Sequence, residues 1–179
     1  MYRISEIAVA FAKIDGIDDD KVPQLDKLLR NTTQRHYLSP SSREGRADLY
    51  SVETVCALRF AQRMDAFGIA RHVLDDFLRF IQSAPTLPIR ETKSEGIATA
   101  LSHIEEAIER ATNGENFKVG LTLGRNGYVM PKAWFTSEPV DDDARAILAT
   151  SDQPEYPDAV LMLDAGRLIR DVLTALKVN

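Results

Sequence analysis

The chain has 179 residues, enough for one large domain or two small ones with a buried core. Its composition is that of an ordinary soluble globular protein, and no apolar run approaches the ~20 residues a membrane-spanning helix needs. The net charge of −5 argues against indiscriminate nucleic-acid binding, and the lone Cys56 excludes a disulfide framework or a multi-cysteine metal site.

In chain order, Ile4, Ile7, Ala8 and Phe11 recur at helical spacing and predict a helix from Ile4 to Lys13, with Ser5 as cap. An acidic turn, Asp15 to Asp20, breaks the pattern. Pro23 suits the first turn of a second helix, whose apolar face is Leu25, Leu28 and Leu29. That helix is expected to end near Tyr37, before Pro40 and the Ser39–Ser42 cluster. A short basic hairpin tip follows around Glu44-Gly45. Ser51 then precedes a third helix carrying Val52, Val55, Cys56, Leu58, Arg59 and Met64, closed by Gly68. A fourth helix runs from Arg71 to Ile81.

Ala84-Pro85-Thr86-Leu87-Pro88 reads as a semi-rigid linker. It sets the expected division: one domain over residues 1–83, a linker over 84–92, and a second domain over 93–179. Beyond it, Ile97, Leu101, Ile104 and Ile108 form a heptad-like stripe that either dimerises the chain or covers the sheet that follows. Phe117 to Leu123 alternates as a strand does, and Asn126-Gly127 signals a tight hairpin. Tyr128–Met130 and Ala133–Phe135 continue the sheet, with Pro131 expected to interrupt it. Asp141–Asp143 is a loop or helix start, Ala159–Leu163 a buried strand, and Ala165 to Leu176 a final helix. The expected fold is mixed α and β: a mainly α N-terminal domain with a small hairpin, then an α/β domain with a helix, a short mainly antiparallel sheet and a last helix.

Charge is unevenly spread. Residues 1–20 carry two basic and five acidic side chains, residues 21–83 ten and seven, and residues 84–179 ten and fifteen. Only the central stretch is net positive, and its cations are densest from Lys27 to Arg46. Cations flanking a helix that presents amide and guanidinium donors point to a duplex, with base edges read by the helix and phosphates held around it. The candidate contacts are Lys27, Arg30, Asn31, Gln34 and Arg35 on the second helix, and His36 at its end for phosphate. Arg43 and Arg46, on either side of Glu44-Gly45, complete the set.

Nothing assembles a catalytic site, and no metal or cofactor is expected. His36, His72 and His103 lack the spacing of a zinc pair, and Asp18–Asp20 and Asp141–Asp143 are consecutive carboxylates on loops. Cys56 lies on an apolar helix face. Gly120, Gly124 and Gly127 are spaced for a hairpin, not for a phosphate-binding turn. Trp134, Phe135, Tyr128 and Met130 form either sheet core or an apolar pocket for an unnamed small-molecule effector.

Tyr2-Arg3-Ile4-Ser5-Glu6-Ile7-Ala8, Tyr37-Leu38-Ser39-Pro40 and Arg43-Glu44-Gly45-Arg46-Ala47-Asp48-Leu49-Tyr50-Ser51 resemble, in turn, the first helix, the turn after the recognition helix and the wing of the MerR superfamily. Val55, Leu58, Arg59, Gly68-Ile69, Leu74 and Leu78 are similar to that family's next two helices, so the resemblance spans about the first eighty residues. The Phe11–Gln24 connection is longer than the family's tight turn, and of its Leu-Arg-Tyr-Tyr signature only Leu28-Leu29-Arg30 is a partial echo. The resemblance implies a winged helix-turn-helix and a non-enzymatic dimer that bends or untwists a palindromic site. It carries Arg30, Arg43 and Arg46 over as contacts and Tyr50 as a packing residue. The expected function is therefore a cytoplasmic, sequence-specific transcriptional regulator that binds double-stranded DNA and itself, without a membrane partner. Two other readings stand beside it: an excisionase-like or architectural DNA-bending factor of a mobile element, and a protein–protein adaptor without DNA binding.

Overall fold

The computed structural model of the chain describes residues 1–83, 101–124, 127–135 and 159–177. The linker Ala84–Pro88, Ile97 of the stripe, Asn126 of the hairpin signal, Asp141–Asp143 and the side chains of Trp134 and Phe135 lie outside what is described. The architecture is mixed α and β, with six α-helices and two antiparallel sheets among the described residues. None of those helices is long and apolar enough to cross a membrane.

Helix α1 spans Ile4–Asp15 and buries Ile4, Ile7, Ala8 and Phe11, as their spacing requires. Its cap is Arg3 rather than Ser5: the Arg3 backbone N–H donates to the Glu6 carboxylate at 2.7 Å. Gly16, at φ +63°, closes it in the left-handed conformation glycine takes without steric cost. A 3-10 turn, Asp19–Lys21, leads into α2, Val22–Arg35, with Pro23 in its first turn. Leu25 and Leu29 of α2 are buried, but Leu28, expected beside them, is 47% exposed on the other side. At 100° per residue it lies outside the arc that faces α1.

Strands β1 (Ser42–Glu44) and β2 (Ala47–Leu49) pair antiparallel around Gly45-Arg46, with Gly45 at φ +62°. Glycine first in a two-residue loop suits the primed turns whose twist matches a hairpin. Helix α3, Val52–Asp65, starts at Ser51, whose Oγ accepts the Thr54 N–H. Every residue from Val55 to Ala61 is buried, because α2 and three helices that follow in the chain all pack on this helix. Helix α4, Arg71–Gln82, buries Leu74, Phe77, Leu78 and Ile81 against it.

Helix α5, His103–Thr112, opens with a reciprocal cap in which Ser102 and Glu105 satisfy each other's backbone N–H groups. The His103 N–H donates to the Ser83 carbonyl at 3.3 Å, so α5 begins where α4 ends. Ile104 is only 1% exposed, because α5 packs on α3, α4 and α6 of its own chain. That corrects its assignment to a dimer seam: a side chain sealed inside one subunit cannot meet a second. Ile108 is half-buried against the same core, and Leu101 is partly exposed.

Strands β3 (Phe117–Leu123), β4 (Val129–Phe135) and β5 (Ala159–Asp164) form an antiparallel sheet in the order β4-β3-β5. Pro131 does not interrupt β4; it pairs with Leu121 on an edge strand, where a missing backbone donor is tolerated. Gly120 is not a hairpin glycine. A Cβ there would sit 2.5 Å from the Leu161 carbonyl oxygen on β5, so its smallness permits close strand approach. The face carrying Phe117, Val119, Leu121 and Leu163 is buried, and the opposite face exposes Met130, Val160 and Met162. Asp164 ends β5 and caps α6, Ala165–Ala175, accepting the Arg167 N–H at 3.2 Å.

Helix α6 packs on α1 and α3 as well as on β3. Residues from both ends of the chain, Phe11, Phe60, Ile104, Val119 and Ile169 among them, therefore belong to one apolar core.

Candidate nucleic-acid interface

The surface built by α2 and the β1–β2 hairpin starts from how the hairpin is held. The Tyr2 and Tyr50 backbones exchange two hydrogen bonds of 2.9 Å, pinning the base of the hairpin beside the start of α1. Arg3 reaches Glu44 at 2.6 Å, and Ser41 joins Leu49 and Ser51. Tyr50 is 5% exposed and packs into the core at the hairpin base. No local sequence signal announces the Arg3–Glu44 tie, because its partners are 41 residues apart.

On α2, Leu25, Leu29 and Thr33 anchor one side, which turns Lys27, Asn31 and Gln34 outward as one stripe at i, i+4 and i+7. Arg30 borders that stripe. Its guanidinium donates to both Asp26 oxygens, at 2.7 and 3.1 Å. The Asp26 hydrogen bond raises its pKa, burial opposes that, and the charges of Asp26, Tyr50 and Asp48 add to the rise. On the hairpin, Arg43 stands directly across from Asp48 and donates to it at 2.7 Å. Arg46 projects at the tip, exposed. Among the described residues Lys27 and Arg46 have no ion-pair partner.

The far end of α2 is organised differently. Arg35 is exposed and lies 3.9 Å from Asp65, and its carbonyl accepts from Arg71 at 2.8 Å. His36, expected to touch phosphate, has a side chain only 2% exposed, with Nδ1 2.7 Å from the Asp75 carboxylate of α4. The correction has a simple cause: His36 falls on the buried side of α2, one turn beyond Thr33 and below Leu29. Tyr37 then takes φ +54° and is 79% exposed, while the Leu38 N–H returns to the Thr33 carbonyl and closes the helix.

The structure thus brings Lys27, Arg30, Asn31 and Gln34 onto one side of α2, and it exposes Arg43 and Arg46 on the hairpin. It separates Arg35, which faces the end of α3, and removes His36 from the surface. Leu28, read from the sequence as core, joins the exposed side next to Lys27 and Asn31. An apolar side chain among amide and cationic donors can meet a thymine methyl while its neighbours reach base edges. Comparison of the chain with protein families, curated proteins and solved structures finds no match in any of the three.

Proposed function

We propose that the chain is a sequence-specific, DNA-binding transcriptional regulator of the MerR-like winged helix-turn-helix type. In this reading α1 and α2 are the helical pair, α2 lies in the major groove, and β1–β2 is the wing along the adjacent backbone. The observation that carries it is the exposed stripe of Lys27, Asn31 and Gln34 on α2, together with a short hairpin whose tip cation, Arg46, has no ion-pair partner among the described residues.

The carboxylates on Arg30 and Arg43 do not oppose this. Both arginines are well exposed, 56% and 73%, although Asp26 is only 23% exposed, and ion pairs at the surface are worth only ~0–1 kcal/mol. A phosphate offers the same guanidinium a competing bidentate partner. One such module reads few base pairs, so the proposal includes two copies on a palindrome.

The test is a gel-shift titration after selection of bound sequences from genomic DNA. Lys27→Glu and Arg46→Glu should each weaken binding, and Arg46→Glu should do so across all sequences, with a salt slope shallower by about one. Absence of any DNA retention at low salt, or retention unchanged in both variants, would overturn the reading.

A further inference from the structure

A cavity of about 580 Å³ opens between the ends of α1 and α3 on one side and β5 and α6 on the other. Its charged lining is balanced: Arg59, Arg63 and Arg167 against Asp15, Asp164 and Asp171. Four of these six are engaged. Asp15 holds Arg59 and Arg63, and Asp164 pairs with Lys118 at 3.0 Å while capping α6. The side chains of Arg167 and Asp171 have no hydrogen-bond or ion-pair partner among the described residues.

Those two stand one turn apart on α6, the spacing at which opposite charges commonly pair, yet they do not pair with each other. Their order is also the weaker one, with the cation nearer the N-terminus, and Arg167 sits in the first turn, where the helix dipole disfavours positive charge. Arg167 is near enough to Asp164 to help lower that carboxyl's pKa, though not in an ion pair, and neither residue has a close charged partner on the helix itself. Both instead face a concavity whose apolar wall includes Phe67, Met162 and Leu168, the first two 65% and 54% exposed.

We propose that this cavity binds a free α-amino acid with an apolar side chain. Its carboxylate meets Arg167, and its ammonium meets Asp171. The two charged groups sit on one carbon, short enough to fit between side chains whose Cβ atoms are roughly 5–6 Å apart. The side chain lies against Phe67 and Met162. None of these residues belongs to the α2–hairpin surface, so the proposal is independent of DNA binding.

Calorimetric titration of the full chain with L-phenylalanine and L-leucine tests it. Saturable binding of at least one is expected. 3-Phenylpropanoate, which lacks the ammonium, and 2-phenylethylamine, which lacks the carboxylate, should each bind at least tenfold more weakly than L-phenylalanine wherever that is the ligand. Arg167→Gln and Asp171→Asn should each weaken amino-acid binding at least tenfold while leaving the ligand-free melting temperature unchanged. No heat with either amino acid, equal binding of a singly charged analogue, or wild-type affinity in both variants would overturn the proposal.

Discussion

The Asp15 carboxylate at the end of α1 accepts from both terminal nitrogens of Arg59 on α3, at 2.8 and 2.5 Å. Arg59 is fully buried, its guanidinium lies 4.9 Å over the Phe11 ring, and Gln62 takes a further hydrogen bond at 2.6 Å. Arg63 also donates to Asp15, so one carboxylate answers two cations. The Arg59 Nε is buried without a partner, which makes the remaining bonds more important.

Removing the carboxylate should be severe. Asp15→Ala leaves a buried guanidinium uncompensated and is expected to cost about 3–5 kcal/mol. Arg59→Met, which removes the buried charge and keeps apolar bulk, should cost distinctly less. Urea denaturation of the two variants gives the comparison, and equal losses would mean that packing, not charge, dominates this site.

Acid should act through the same group. Burial pushes the Asp15 carboxyl up, but the hydrogen bonds and charges of Arg59 and Arg63 outweigh it and hold the pKa below the ordinary 3.8. The unfolded state therefore binds this proton first as pH falls. The contribution is complete above the ordinary carboxyl range and is lost as pH drops below it toward the depressed folded value. Denaturation midpoints between pH 6 and pH 2 should fall less steeply in Asp15→Asn than in the wild type.

Cys56 should be inert in the native protein. Burial pushes its thiol pKa far up, with Glu53 adding to the rise, so almost no thiolate exists at neutral pH and no reagent reaches it. A chromogenic disulfide reagent should label it only at the rate of unfolding. Stoichiometric labelling within minutes under native conditions would contradict this packing.

Gly120→Ala should destabilise the sheet by about 1–3 kcal/mol, because the new methyl overlaps the Leu161 backbone carbonyl, which cannot rotate away as a side chain would. Thermal melting checks this, and an unchanged midpoint would show that β3 and β5 can part freely.

His36→Ala should lower stability by about 1–3 kcal/mol by removing its hydrogen bond to Asp75, which keeps Arg71 at 3.6 Å, yet leave the proposed DNA affinity at wild-type level wherever the variant stays folded. Gel shifts at a temperature below both melting transitions separate the two effects. A specific loss of affinity there would restore His36 to the interface.

Much of this molecule is legible locally. The spacing of Ile4, Ile7, Ala8 and Phe11 marks α1, Ser51 marks the start of α3, and Gly45 marks a hairpin turn, because each depends on neighbours within one or two turns of chain. The alternation from Phe117 to Leu123 likewise announces β3, whose two faces differ in burial as alternation demands. The cluster of cations around α2 and the hairpin was also readable, since most of its members lie within twenty residues of one another.

The sequence by itself determined where helices and strands form, since backbone propensity, capping and apolar period act over a few residues. Only the tertiary structure decided which of those side chains meet solvent. It buried Arg59 against Asp15, 44 positions away, sealed His36 with Asp75, turned Leu28 outward and enclosed Ile104 within its own subunit. Burial and ion pairing depend on partners supplied by distant elements, and local pattern carries no record of which partner arrives.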